Sequence, residues 1–284
     1  MNAPGSVAGL IIESPGWLTT LQDRGRRGYA TFGVPGGGPV DPVLAGAMNR
    51  SVGNDHSAVL LETAGGLVVR ADSEIMVACS AHLAPMVLRA GQRLHIEHPS
   101  DRNFDYLAVA GGLQVDTVLG SSSHDTLSGI GPARLEPGAR LVLGRTLGPF
   151  SSVDQLPGTS RLSDRLRVWP GPHLAMFASG AFEHFCCASW TVQAPVNRIA
   201  VRLSAGSQPG VERIDPTELE SIGLVLGAVQ VHPDGAAMVM SADHPTTGGY
   251  PVIGIVDHDD VAMLSQIRPG GSVRFAAVGP ERNC

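Results

Sequence analysis

The sequence predicts an all-β protein with a few short helices, arranged as two tandem halves. Three observations carry this. Short apolar or alternating runs recur along the chain, separated by turn residues, as in barrels and sandwiches. Glycine and proline are abundant, 36 and 21 in 284 residues, while aromatic residues make up only 5% and charged residues 16%. Each half also ends in a Pro-Gly turn feeding a closing strand, at Pro137-Gly138 and at Pro269-Gly270. Proline and then glycine at the two central positions suit a type II turn.

In chain order, a strand is expected just before Gln22, followed by a glycine-rich loop from Gly33 to Gly38. Asp41 is placed to cap a helix whose first position is Pro42, with an apolar face at Val43, Ala47 and Met48. Strands follow at 65–70, 74–79, 85–88, 93–97, 103–110 and 140–143. Residues 146–164 are polar and rich in Gly, Ser and Pro, which reads as a linker between domains at 1–145 and 165–284. The second half opens with a strand at 165–169. Leu174, Phe177, Ala181 and Phe185 recur at three- to four-residue intervals and predict a helix over 174–186. Strands at 198–203, 228–231, 237–241 and 252–256, a helix at 259–267 and a last strand at 272–278 complete it.

Composition excludes several functions. The net charge of −6 supplies no basic patch, so nucleic acid and anionic membrane are not expected partners. All 20 basic side chains are arginine. Without lysine there is no Schiff base, no P-loop lysine, no Ser-Ser-Lys amidase triad and no amine for biotin attachment. Cys79, Cys186, Cys187 and Cys284 show no metal or disulfide-framework spacing and read as reduced thiols. The first ten residues lack the basic and apolar regions of a secretion signal, and no stretch suits a membrane span. The expectation is a cytoplasmic protein.

Candidate chemistry concentrates in loops. Gln22, Asp23, Arg24 and Arg26 form a polar run beside glycines. Its arginines either bind a carboxylate or hold the loop by internal ion pairs. Thr246, Thr247, Gly248, Gly249 and Tyr250 form a polar loop suited to holding a carbonyl or carboxylate, with Gln230 offering an amide to the same place. The alternative there is an ordered turn with Tyr250 packed at its corner. Ser121-Ser122-Ser123-His124-Asp125 has the residue types of a catalytic triad, but triad members converge from separate elements rather than from neighbours. Asp257-His258-Asp259-Asp260 reads as a helix cap. His95 and His98 do not share a strand face, and no metal site is expected.

These segments resemble the allophanate hydrolase subunit 2 family, also called KipA or the 5-oxoprolinase C-subunit family, whose domain also occurs in urea carboxylase. The resemblance runs through Asp41, Ala47-Met48-Asn49-Arg50-Ser51-Val52-Gly53-Asn54, Leu61-Glu62, Ala110-Gly111-Gly112-Leu113, Gly227 to Val231, Thr247 to Pro251 and Gln266-Ile267-Arg268-Pro269-Gly270. It implies two cyclophilin-like β-barrels and a partner of the subunit 1 (KipI-like) type. It also implies ATP-dependent opening of 5-oxoproline, or carboxyl transfer to a urea-like substrate, with ATP or carboxybiotin supplied by partner subunits. A KipA-like regulator that antagonises a kinase inhibitor without catalysis is the alternative. The resemblance adds Arg198 to the candidate substrate-binding residues, and places Gln22, Asp23, Asp41, Asn49, Asn54, Glu62 and Gln266 in loop-shaping or interface roles. His124 and Ile199 depart from the family's usual residues, and no general base or nucleophile is assigned.

Overall fold

The computed structural model describes residues 8–82, 84–145, 165–215 and 219–279. The chain divides into two compact units, the first made of residues 1–26, 37–125 and 129–160, the second of 27–36, 126–128 and 161–284. The expected linker at 146–164 lies outside the described residues.

The first unit folds as β1 (Gly9–Pro15), β2 (Thr19–Gln22), α1 (Pro42–Ser51), β3 (Leu60–Thr63), β4 (Leu67–Ala71), β5 (Ile75–Cys79), β6 (Met86–Leu88), β7 (Arg93–Ile96), β8 (Asp105–Val109), β9 (Leu113–Gln114) and β10 (Arg140–Leu143). These form two five-stranded sheets, ordered β7-β4-β1-β10-β9 and β2-β3-β8-β5-β6. Strand β4 alternates as sequence periodicity requires, with Leu67, Val69 and Ala71 buried. They meet Leu21, Leu61, Val77 and Leu107 of the other sheet in one core. Strand β8 is buried along its whole length. Its second face is covered by α1, where Leu44, Ala45 and Met48 pack on Leu60, Ala78, Tyr106 and Ala108. A strand covered on both sides loses the alternation of a half-exposed one.

Helix α1 starts as its sequence dictates, with the Asp41 carboxylate accepting the Leu44 N–H at 2.9 Å. Its buried face is Leu44, Ala45, Ala47 and Met48, whereas Val43 is 62% exposed, correcting the expected face. Asn54 ties the helix exit to the sheet. It donates to Asn49 Oδ1 and the Val109 carbonyl and accepts from the Gly111 N–H.

The second unit contains a short 3-10 turn (Ala30–Phe32), β11 (Arg165–Pro170), a second such turn (Leu174–Met176), α2 (Ala181–Cys187), β12 (Trp190–Val192), β13 (Ala200–Ser204), β14 (Ile222–Gly223), β15 (Ala228–Val231), β16 (Ala237–Met240), β17 (Thr247–Gly248), β18 (Val252–Val256), α3 (His258–Gln266) and β19 (Ser272–Ala277). Seven of these strands close a barrel in the order β11-β18-β15-β16-β13-β12-β19. The seam is the parallel pairing of β11 with β19, which sets Leu166 opposite Phe275. Inside, Phe185 stacks on Phe275 at 4.5 Å between centroids and lies 5.2 Å from Trp190. The single helix expected over 174–186 is instead a 3-10 turn and a separate α-helix. Gly180, at φ 79°, breaks the run in the left-handed region.

Both Pro-Gly turns form as expected. Ala139 N–H donates to the Glu136 carbonyl at 3.1 Å and Gly271 N–H to that of Arg268 at 2.8 Å. Gly138 and Gly270 take φ values of 89° and 86°. At the start of α3, Asp257 accepts the Asp259 N–H and Asp260 pairs with Arg167, so this acidic run is a cap and an ion pair. The thiol expectation is corrected at Cys187, which is disulfide-bonded. Cys79 and Cys186 are free, and burial pushes each thiol up to about 12.

Candidate functional site

In the first unit the polar residues gather where β2 runs out into a turn. The Asp23 carboxylate is the hub. Its Oδ1 accepts from Gly25 N–H (2.9 Å), Ser121 Oγ (2.5 Å) and Ser123 Oγ (2.7 Å), and its Oδ2 from Ser122 N–H (2.7 Å). Arg26 is buried and donates through Nε to the Val118 carbonyl at 3.0 Å and through Nη2 to that of Ser123. Gly131 completes the packing. At φ 115°, a Cβ there would lie 2.1 Å from the Ser123 oxygen. Arg24 is exposed.

The serines of this loop do not form a triad with His124. Ser121 and Ser123 direct their hydroxyls to Asp23, and Ser122 directs its own to the Val115 and Asp116 carbonyls. The His124 ring bonds the Pro132 carbonyl through Nδ1 at 2.8 Å. Gln22, wholly buried, donates to Thr20 Oγ1 and to the His124 carbonyl, both at 2.9 Å.

The amides before α1 are also engaged. Glu62 Oε2 accepts from Val40 N–H at 2.8 Å and from the Tyr106 hydroxyl at 2.9 Å, and that hydroxyl accepts from Asp41 N–H at 2.8 Å. Burial first, then the Glu62 and Asp41 carboxylates, hold the Tyr106 phenol well above its ordinary value. The amides of Val40 and Asp41 that lead into this helix are therefore already bound, to Glu62 and Tyr106.

In the second unit the loop at 246–250 is braced from three sides. Strand β17 pairs with β14, setting Gly248 opposite Ile222 and Thr247 opposite Gly223. Leu224 N–H donates to the Thr246 carbonyl and Leu219 N–H to that of Gly249, both at 2.9 Å. Below it, Gln230 donates through Nε2 to the Tyr250 carbonyl at 3.2 Å. It packs so close that a Cβ on Gly248 would sit 2.6 Å from that nitrogen. Glycine at 248 is what lets the loop lie against the barrel. Thr247 is left exposed, and the Tyr250 ring stacks on His232 at 4.3 Å. Burial lowers the His232 pKa. Asp234 opposes that effect, and Arg202 and Arg213 reinforce it.

Arg198 is occupied by a carboxylate of its own unit. Its guanidinium is fully buried and grips Asp243 through Nε (2.9 Å) and Nη2 (2.8 Å). Thr126, part of this unit, adds its N–H and hydroxyl to Asp243 Oδ2 at 2.8 and 2.7 Å. Asp243 and His232 were not among the sequence candidates. The signal for Asp243 was the arginine itself, since a guanidinium beside an apolar strand needs a carboxylate partner. Gln266 ends α3, half-buried. A cavity of about 340 Å³ beside α2, lined by Leu174, Phe177 and Phe182, includes none of the candidates. Among the described residues no cluster of His, Cys, Asp or Glu is arranged to hold a metal, and no helix is long and apolar enough to cross a membrane.

Residues 32–277 match the family model "Carboxyltransferase domain, subdomain A and B". The chain is 34% identical to the C subunit of 5-oxoprolinase from Escherichia coli (strain K12), covering 94% of this chain and 90% of that protein. The crystal structure of TTHA0988 superposes with a TM-score of 0.81 at 33% identity over 95% of this chain, which spans 56% of that one. The K. lactis urea amidolyase structure gives a TM-score of 0.85 at 24% identity over 98% of this chain and 19% of its own, a likeness of fold.

Proposed function

The chain belongs to the carboxyltransferase domain family, subdomain A and B, and from that membership we propose that it is a non-autonomous subunit of a heteromeric complex that opens 5-oxoproline with ATP. One observation carries the choice of substrate. The match to the C subunit of a 5-oxoprolinase extends over nearly all of both chains, whereas the urea amidolyase match occupies a small part of a much longer chain. Family alone does not fix the reaction.

In this reading the partner is a subunit of the KipI-like type, and ATP is handled outside this chain. A carboxybiotin route would likewise need another polypeptide, since no lysine is present here. The loop at 246–250 supplies the polarising groups. Its bracing by β14 and Gln230 keeps Thr247 and Tyr250 in fixed positions, the condition for stabilising charge that develops on a carbonyl oxygen. Arg198 we assign to holding Asp243 and Thr126 rather than substrate, and Arg26 to holding the loop at 118–123. The exposed Arg24 is the arginine left to meet a carboxylate.

The test is the co-purified complex assayed for ATP-dependent glutamate release from 5-oxoproline. Activity should vanish when this chain is omitted and fall about 10²-fold in Tyr250→Phe or Thr247→Ala, the usual effect of losing one oxyanion donor. A stable complex with no turnover would overturn the lactam-opening reading.

A further inference from the structure

Gln22 and His124 are each more than nine-tenths buried, at 0% and 5% exposure, and each keeps one polar atom with no hydrogen-bond partner among the described residues. These atoms are Gln22 Oε1 and His124 Nε2. Native proteins leave few buried polar atoms in that state, and each requires a physical account.

The chemistry of both atoms follows from the bonds their side chains do make. A carbonyl oxygen only accepts, so the contact from His124 Nδ1 to the Pro132 carbonyl places the ring proton on Nδ1. In the tautomer with that proton, Nε2 carries a lone pair and accepts. Gln22 spends its amide on two acceptors, Thr20 Oγ1 and the His124 carbonyl, which fixes the orientation of its carboxamide and leaves Oε1 as an acceptor. Two acceptors cannot satisfy each other. Gln22 is joined directly to His124 through its amide, and the His124 N–H donates to the carbonyl of the neighbouring Leu21 at 2.9 Å. Both are held by a loop whose serines are locked on Asp23. The acceptors are therefore fixed in place before any ligand arrives.

We propose that Gln22 Oε1 and His124 Nε2 form an N–H-accepting subsite in the first unit, which takes the nitrogen of a small planar amide or urea. The existence of the subsite rests on the two acceptors. The amide class of its ligand rests on the function proposed above. In this reading the loop at 246–250 acts on a carbonyl oxygen, and these two acceptors on an N–H. His124 here is a binding residue, and no proton transfer is assigned to it.

The full-length chain, labelled with ¹⁵N at histidine, reads this out by long-range ¹H–¹⁵N correlation. The free chain should show His124 Nε2 as an unprotonated nitrogen. Adding 5-oxoproline, 2-pyrrolidone or urea should shift that signal upfield, while N-methyl-2-pyrrolidone and tetramethylurea, which lack an N–H, should leave it unmoved. His124→Asn should weaken binding of the N–H ligands about tenfold, the usual effect of losing a hydrogen bond to a buried group. The spectra of the unaltered chain decide the matter even where the variant folds poorly. A protonated Nε2 in the free chain, an equal shift with the N-methylated compounds, or no shift with any of them would each overturn the proposal. A complex that turns over 5-oxoproline while that compound leaves His124 unmoved would sink the subsite and leave the proposed reaction standing. A shifted signal without turnover would do the reverse.

Discussion

His232 shows how one residue couples stability to pH. Burial against Tyr250 lowers its pKa below the ordinary value, with Asp234 pulling the other way and Arg202 and Arg213 adding to the burial. The unfolded chain therefore takes up the proton first as pH falls. The stabilising effect is complete above the unfolded value, about 6.5, and is lost progressively as pH drops from there through the folded value. Melting temperatures measured between about pH 5 and 8 should decline on the acid side, and His232→Phe, which keeps a ring on Tyr250, should flatten that decline. Parallel curves would show that His232 is not the group responsible. The His232–Tyr250 stack was not legible in the sequence. The two residues lie on separate segments, and no local periodicity joins them. The same holds for Asp23 and its serines, about a hundred positions apart. Asp41 before Pro42, by contrast, announced its role, because a cap acts within a single turn of chain.

At the scale of the element, α1 depends on more than its own cap. Glu62 and Tyr106 hold the two amides leading into it. Tyr106→Phe removes the phenol that links Glu62 to the Asp41 N–H in a fully buried setting and should cost about 2 kcal/mol. Denaturant unfolding checks this, and a loss below about 0.5 kcal/mol would show that the helix entry does not rely on the phenol. Elements with a local cause were readable, among them both Pro-Gly turns, α1, α3 and the strands at 140–143, 228–231 and 252–256. The helix expected over 174–186 failed because its apolar spacing outweighed Gly180 in the reading, while the chain obeyed the glycine. Strands β9, β14 and β17 are two residues long, too short to show any alternation.

For the whole molecule, fold class was legible because composition and turn density constrain the entire chain. Sheet order was not, because strand partners are chosen by packing between distant segments. The two units bury their cores differently. The first uses paired sheets and a helix, and the second a closed barrel. The barrel's parallel seam joins β11 to β19, on the order of a hundred residues apart, so its closure carries the largest loop entropy of the barrel's strand pairings. That spacing has a consequence during synthesis. Until the segment after residue 271 leaves the ribosome, β11 and β12 each lack a neighbour that the finished fold supplies. Nascent chains arrested before that point should be cut readily by protease within 165–271, and chains extended beyond it should resist. Equal resistance of the two would mean that the barrel holds its shape before the last strand arrives. The second unit is thus open, with bare strand edges, for most of its translation, and this is the interval in which it is most exposed to pairing with the wrong chain.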